Sequence, residues 1–186
     1  MRIAPLAFCL DPKQSEARRI IRDVSRITHH SEEAYVGALA VTIAIKAAGE
    51  QLWTGDPTLL ALVAQAIPDS KVRDRISAIN ELSGDRSVLE VGLSFGNSGH
   101  VVESVPLALY AAQRVASLGF EAMISEVLHT GGDTDTIASI SGQIAGTLLG
   151  GKALPRNLIS QVDQSGFIKS IASQFAVTVV RESSRR

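Results

Sequence analysis

Residues 32–48, "EEAYVGALAVTIAIKAA", carry the pattern on which the fold turns. Their apolar residues fall on most sides of a helix rather than along one stripe. A helix that is hydrophobic nearly all round has no face to present to water, so it belongs at the centre of a set of packed elements. Two glutamates open it, where the positive end of the helix dipole favours carboxylates, and Gly49 follows it as a stop.

The flanking segments supply what such a helix needs. Upstream, "SEARRIIRDVSRI" (15–27) begins with Ser and an early Glu and places Ala17, Ile20, Ile21, Val24 and Ile27 on one stripe. Downstream, "TGDPTLLALVAQAIP" (54–68) reads as a helix with Asp56 as N-cap, Pro57 at the first helical position and Pro68 as terminator. "DSKVRDRISAINELSG" (69–84) is a charged, one-sided surface helix closed by Gly84, and "LSFGNSGHVVESVP" (93–106) reads as an irregular loop entering a helix. Helices are predicted over 107–117, 119–128 and 133–150, and a last one spans about 156–180 before the polar tail "RESSRR". No strand alternation, fixed-period repeat or heptad seam appears, so the fold class is all-α, a compact bundle forming one domain over 1–186. In the 133–150 helix Gly142, Gly146 and Gly150 recur every four residues on one face. Each costs up to about 1 kcal/mol of helix propensity relative to alanine, so the spacing predicts a second backbone packed closely there.

Composition narrows the function classes. Hydrophobic residues make up 45% and charged residues 20% of the 186-residue chain, a globular balance. The formal net charge of -1 offers no bulk basic field for nucleic acid or an anionic membrane. The single cysteine, Cys9, sits in an apolar run and is expected to be a buried small hydrophobe. One cysteine cannot form an intramolecular disulfide, which points to a reducing compartment. No apolar run approaches the roughly 20 residues of a bilayer span. The opening "MRIAPLAFCLDP" lacks a small-residue cleavage site and continues into an amphipathic helix, so the chain is read as cytoplasmic.

The chemistry concentrates at 129–136, "HTGGDTDT". Asp133, Asp135 and Thr136 stand at the start of a helix, and two readings remain open on residues alone. Asp and Thr are preferred N-caps. Alternatively, two carboxylates and a hydroxyl at these offsets converge as hard oxygen ligands suited to Mg²⁺, Mn²⁺ or Ca²⁺. Gly131 and Gly132 would let a backbone or a ligand come near.

"GGDTDTIASISGQIAGTLLG" (131–150) resembles the C-terminal signature of the ADP-ribosylglycohydrolases, the family that includes the enzyme reversing nitrogenase-reductase ADP-ribosylation. Three further stretches are similar to that family in order and spacing. "GNSGHVVESVPLALY" (96–110) resembles the loop and helix before the signature, "ITHHSEEAYVGALA" (27–40) its threonine–histidine motif, and "MRIAPL" (1–6) the tail of its glycine-rich segment. "ESVP" lies nearest the branch acting on serine-linked ADP-ribose and O-acetyl-ADP-ribose. The resemblance implies a compact orthogonal helical bundle and hydrolysis of the bond at the ribose anomeric carbon. It implies two Mg²⁺ or Mn²⁺ ions, with Asp133, Asp135 and Thr136 as ligands. Substrate contacts carried over are His29, beside the ADP-ribose; Gly96, Asn97, Ser98 and Gly99, lining the ribose or adenine end; Gly131 and Gly132; and Arg2, near the diphosphate. His30, His100 and His129 are expected to be structural or exposed.

The family pattern also contains an N-terminal helical region with a catalytic glutamate, a second ligand set of threonine and two aspartates, and a diphosphate loop. No equivalent stands in this sequence, so the bundle is expected to be truncated at its N-terminus, with half of the dinuclear site and no catalytic residue identified. Glu32 and Glu33 are accounted for by the helix dipole alone. Apolar surface is then expected on helices 32–48 and 135–150, covered by a second copy, a separately encoded N-terminal chain or rearranged local helices. The partner implied is ADP-ribose or an ADP-ribosylated protein, without nucleic acid or membrane. The rival classes are a non-catalytic ADP-ribose-binding protein, a structural crystallin-like member of the family, and a truncated remnant.

Overall fold

A computed structural model describes residues 2–53 and 58–183. These residues form twelve helices and no strand: α1 Leu6–Cys9, α2 Ser15–Arg26, α3 Glu32–Gly49, α4 Leu59–Ala66, α5 Lys71–Asn80, α6 Val88–Phe95, α7 Val101–Gln113, α8 Val115–Leu118, α9 Phe120–His129, α10 Thr134–Leu149, α11 Arg156–Gln161 and α12 Ser165–Ser183.

The all-α reading holds, and α3 is central as its all-round hydrophobicity requires. Nearly every residue from Tyr35 to Ala48 is buried. The helix packs against α7 and α10, which also pack on each other, and its other sides meet α1, α2, α4 and α5. Its N-cap is Ser31, whose hydroxyl accepts from the Ala34 N–H at 3.1 Å. The buried hydroxyl of Thr42 donates to the Ala38 carbonyl at 2.8 Å, so it is not stranded in the core. Of the three covers expected for the apolar surface of α3, the chain's own helices supply it.

The helices α3 and α7 meet closely at Gly37. A Cβ there would run into Cγ2 of Val101, the first residue of α7. A residue without a side chain thus lets the start of α7 lie against α3. The glycine ridge of α10 behaves otherwise. A Cβ on Gly142 would stand 3.8 Å from Ile124 Cδ1, one on Gly146 would stand 3.9 Å from Leu154 Cδ2, and Gly150 faces open space. The expected close backbone does not occur among the described residues.

Other departures have local reasons. α4 begins at Leu59 with Thr58 as N-cap, its hydroxyl accepting from the Ala61 N–H at 3.1 Å. Asp56 and Pro57, expected as the cap, lie outside the described residues. The stretch 93–106, expected to be an irregular loop entering a helix, enters it at Val101, and α7 continues through Pro106. Only 96–100 form the loop, because α6 occupies 88–95 behind a Ser87/Glu90 capping box. In α2, Ala17 and Ile21 are buried, while Ile27, its C-cap, is 76% exposed. Cys9, expected in the core, is exposed. Several apolar residues left in water lie on α12, with Phe167 63% and Ile168 54% exposed. The ring of Phe175 meets that of Phe8 edge-on at 6.3 Å between centroids.

Carboxylates stitch the outer helices on. Both oxygens of Glu33 cap α5, accepting from the Lys71 and Val72 N–H groups at 3.0 and 3.1 Å. Glu126 accepts from Val88 N–H at 2.9 Å at the start of α6. Glu33 is thus fully used in structure, and Glu32 pairs with Arg22 and Arg26.

Candidate functional site

The site is built where two loops meet. The first joins α9 to α10. Gly131 and Gly132 take φ of 67° and 69° in succession, a reversal that side-chain-bearing residues adopt at a cost. Asp133 follows as the N-cap of α10, its Oδ1 accepting from the Thr136 N–H at 3.4 Å. The second loop, 96–100, joins α6 to α7 and opens with Gly96 at φ 98°.

Three contacts lock the loops together. The Asp133 N–H donates to the Asn97 carbonyl at 2.9 Å. The Asn97 side-chain amide donates back to the Thr130 carbonyl at 2.7 Å. Gly99 then lies against the Asp133 carboxyl, close enough that a Cβ would overlap Oδ2 and stand 3.4 Å from Cγ. A Cβ on Gly132 would likewise collide with the Asn97 carbonyl oxygen. Both glycines are required by the closeness of the loops.

The 96–100 loop is held from beneath by α5 and α7. The Ser98 N–H donates to Glu103 Oε2 at 3.0 Å. Hydrogen bonds from the Ser98 hydroxyl and N–H, in that order, hold the Glu103 carboxyl below the usual carboxylate range, with Arg75 and His100 adding to the effect. The Arg75 guanidinium donates to the Phe95 carbonyl and lies over the Phe95 ring.

The Asp133 carboxyl is held below its ordinary value first by the neighbouring Asp135 side chain, then by the Thr136 hydroxyl and backbone N–H. The donor set of two carboxylates and a hydroxyl fits Mg²⁺ or Mn²⁺ chemically. Among the described residues no group of three or more His, Cys, Asp and Glu is positioned to hold a metal. The fit therefore rests on two carboxylates and a hydroxyl, a partial ligand set.

Of the residues expected at the site, the structure brings Asn97 and Gly99 onto Gly132 and Asp133, with Thr136 bonded to Asp133, whereas Gly96 and Ser98 lie against Glu103. Among the described residues no hydrogen bond or ion pair ties His29 or Arg2 to this junction. His29 is exposed between α2 and α3 with Nδ1 2.8 Å from Thr28 Oγ1, and Arg2 is exposed before α1. His129 is exposed and its Nδ1 lies 2.6 Å from the Ser125 carbonyl oxygen. Glu103 and Arg75 were not anticipated at the site. The spacing from Ser98 to a glutamate in the first turn of α7 is the signal for Glu103, whereas nothing local marks Arg75. Two cavities of about 230 and 220 Å³ lie elsewhere, one walled by Arg18, Lys46 and Leu62, the other by Tyr110, Gln113 and Arg114. The junction is an open surface, with Gly131, Gly132 and Asp135 exposed. It forms one wall rather than a closed pocket.

With this geometry in place, comparison with known proteins is informative. A family profile described as ADP-ribosylglycohydrolase matches residues 1–185. An uncharacterized protein of Archaeoglobus fulgidus is 30% identical over 176 residues, covering 94% of this chain and 55% of its own length. ADP-ribosylhydrolase ARH3 of Homo sapiens is 27% identical over 185 residues, covering 84% of this chain and 51% of its own. The corresponding Mus musculus protein is also 27% identical, with 50% of its length matched. The chain thus spans about half the length of these relatives. Among the described residues no helix is long and apolar enough to cross a membrane.

Proposed function

The chain belongs to the ADP-ribosylglycohydrolase family, and on that premise we propose that it supplies one side of a metal-dependent hydrolase site. The reaction is cleavage of the bond at the ribose anomeric carbon of ADP-ribosylated proteins or of O-acetyl-ADP-ribose. The observation that carries this reading is the loop junction, which gathers Asp133, Asp135 and Thr136 at the start of α10 with Gly99 against the Asp133 carboxyl.

Asp133, Asp135 and Thr136 would hold Mg²⁺ or Mn²⁺, of which the complete site takes two. When bound, the metal supplies a template for the ribose hydroxyls and Lewis-acid stabilisation of an oxocarbenium-like centre. The chain's own residues do the rest of the binding. Gly131 and Gly132 present backbone without side chains, so a sugar can approach closely. Asn97 and Ser98 offer polar groups along the facing loop, and Arg2 and His29 are assigned to the phosphate and ribose oxygens. Three donors do not fill the octahedral shell that Mg²⁺ demands. Water, substrate or further ligands complete it.

The test is ADP-ribose release from an ADP-ribosylated peptide or from O-acetyl-ADP-ribose, with Mg²⁺ and at high protein concentration. Release that vanishes in Asp133→Asn is the expected result. Absence of both release and calorimetric ADP-ribose binding would overturn the reading. The partial ligand set favours a second reading, ADP-ribose binding without turnover. Its signature is a calorimetric isotherm with no product.

A further inference from the structure

Glu103 takes no place in the ligand set, yet it lies under the loop that faces Asp133. Its Oε2 accepts the Ser98 N–H at 3.0 Å. Its carboxyl also fills the space where Gly96 would carry a Cβ. The loop is therefore pinned at its first glycine and at Ser98 by one side chain projecting from the first turn of α7. From Ser98 the connection to the acidic cluster is short in both directions. The preceding residue, Asn97, accepts the Asp133 N–H on its carbonyl and reaches Thr130 with its amide. The following residue, Gly99, abuts Asp133 Oδ2. The Asp133 backbone and carboxyl are both referred to a loop whose position Glu103 sets.

We propose that Glu103 is a positioning residue of this site, holding the 96–99 loop so that Asp133 presents its carboxyl in one fixed orientation. A ligand pre-set by its supporting hydrogen bonds binds a metal more tightly than one that must be ordered on binding. This function of Glu103 rests on the metal reading of Asp133, but its mechanical part can be tested by itself. The probe for that part is amide hydrogen exchange of Asp133, followed by NMR on the full chain, with the core amide of Ile140 as internal reference.

In Glu103→Ala, exchange at Asp133 should quicken by about tenfold or more relative to Ile140, the scale set by losing a hydrogen bond to a charged acceptor. Glu103→Gln keeps an oxygen acceptor for the Ser98 N–H and should restore most of the protection. It also serves if the alanine variant does not fold, since Glu103→Asp, one methylene shorter, should then lose protection relative to it. A merely structural role would speed exchange at Ile140 and Asp133 equally. Unchanged exchange at Asp133 in the face of faster exchange at Ser98 would overturn the proposal, because the loop would then not transmit to the ligand. Mn²⁺ titration by electron paramagnetic resonance separates the two levels. No binding by the wild-type chain defeats the metal reading alone, whereas equal binding by wild type and Glu103→Ala defeats the positioning role.

Discussion

Alanine at Gly132 should destabilise the chain far more than alanine at its neighbour Gly131. Both glycines hold left-handed backbone, with φ of 69° and 67°. Their surroundings differ. A Cβ on Gly131 meets nothing within 4 Å, whereas one on Gly132 collides with the Asn97 carbonyl oxygen and stands 2.8 Å from both Cγ and Oδ1 of Asn97. Either alanine carries the left-handed penalty of about 1–2 kcal/mol. Only at position 132 must the facing loop also retreat. Its retreat breaks the Asp133 N–H to Asn97 carbonyl bond and disturbs the Asn97 amide to Thr130 bond. Two such bonds at about 0.5–1.5 kcal/mol each add about 1–3 kcal/mol. Gly131→Ala is thus expected to lose about 1–2 kcal/mol and Gly132→Ala about 2–5 kcal/mol. Urea unfolding followed by far-UV circular dichroism measures both, with unchanged m values as the check that the unfolded states are comparable. Equal losses within about 0.5 kcal/mol would refute the reasoning. They would mean that the two loops part freely and that the junction orders nothing.

Gly142→Ala should stabilise α10 by up to about 1 kcal/mol, since its Cβ meets Ile124 and Phe120 only at ordinary distance, and a loss measured by thermal melting would contradict this. Gly37→Ala should destabilise by roughly 1–2 kcal/mol, because Val101 must yield at the α3–α7 crossing. Glu33→Ala strips both acceptors from the start of α5 and should cost about 1–3 kcal/mol in urea unfolding. The Glu103 carboxyl is held below its ordinary value by the Ser98 hydroxyl and N–H. Its contribution is therefore complete above the unfolded-state value and lost as pH falls through the lower folded value. Glu103→Gln should flatten the fall in urea midpoint between roughly pH 5 and pH 3, and an unaltered slope would exclude that linkage.

Much of this architecture is written in local patterns. The all-round hydrophobicity of 32–48 demands a buried helix whatever surrounds it, and α3 is that helix. The Asp133, Asp135, Thr136 cluster is likewise local, because residues two and three apart at a helix start converge without help from elsewhere. The capping box at Ser87 and Glu90 is an equally local signal, and it starts α6. What covers α3 was a different kind of question. Residue pattern says that a face must be buried but not which helix buries it, and α1, α2, α4 and α5 close around it together. The glycines show the same divide. Spacing suggested a close contact along Gly142, Gly146 and Gly150, whereas the close contacts occur at Gly37, Gly96, Gly99 and Gly132. A missing side chain permits close approach, but only the packed chain determines whether something arrives. The site follows that rule. The sequence by itself determined the acidic side chains and the all-helical class. Tertiary structure alone set Asn97 and Gly99 against Asp133, since the packing of α7 on α10 joins segments far apart in the chain.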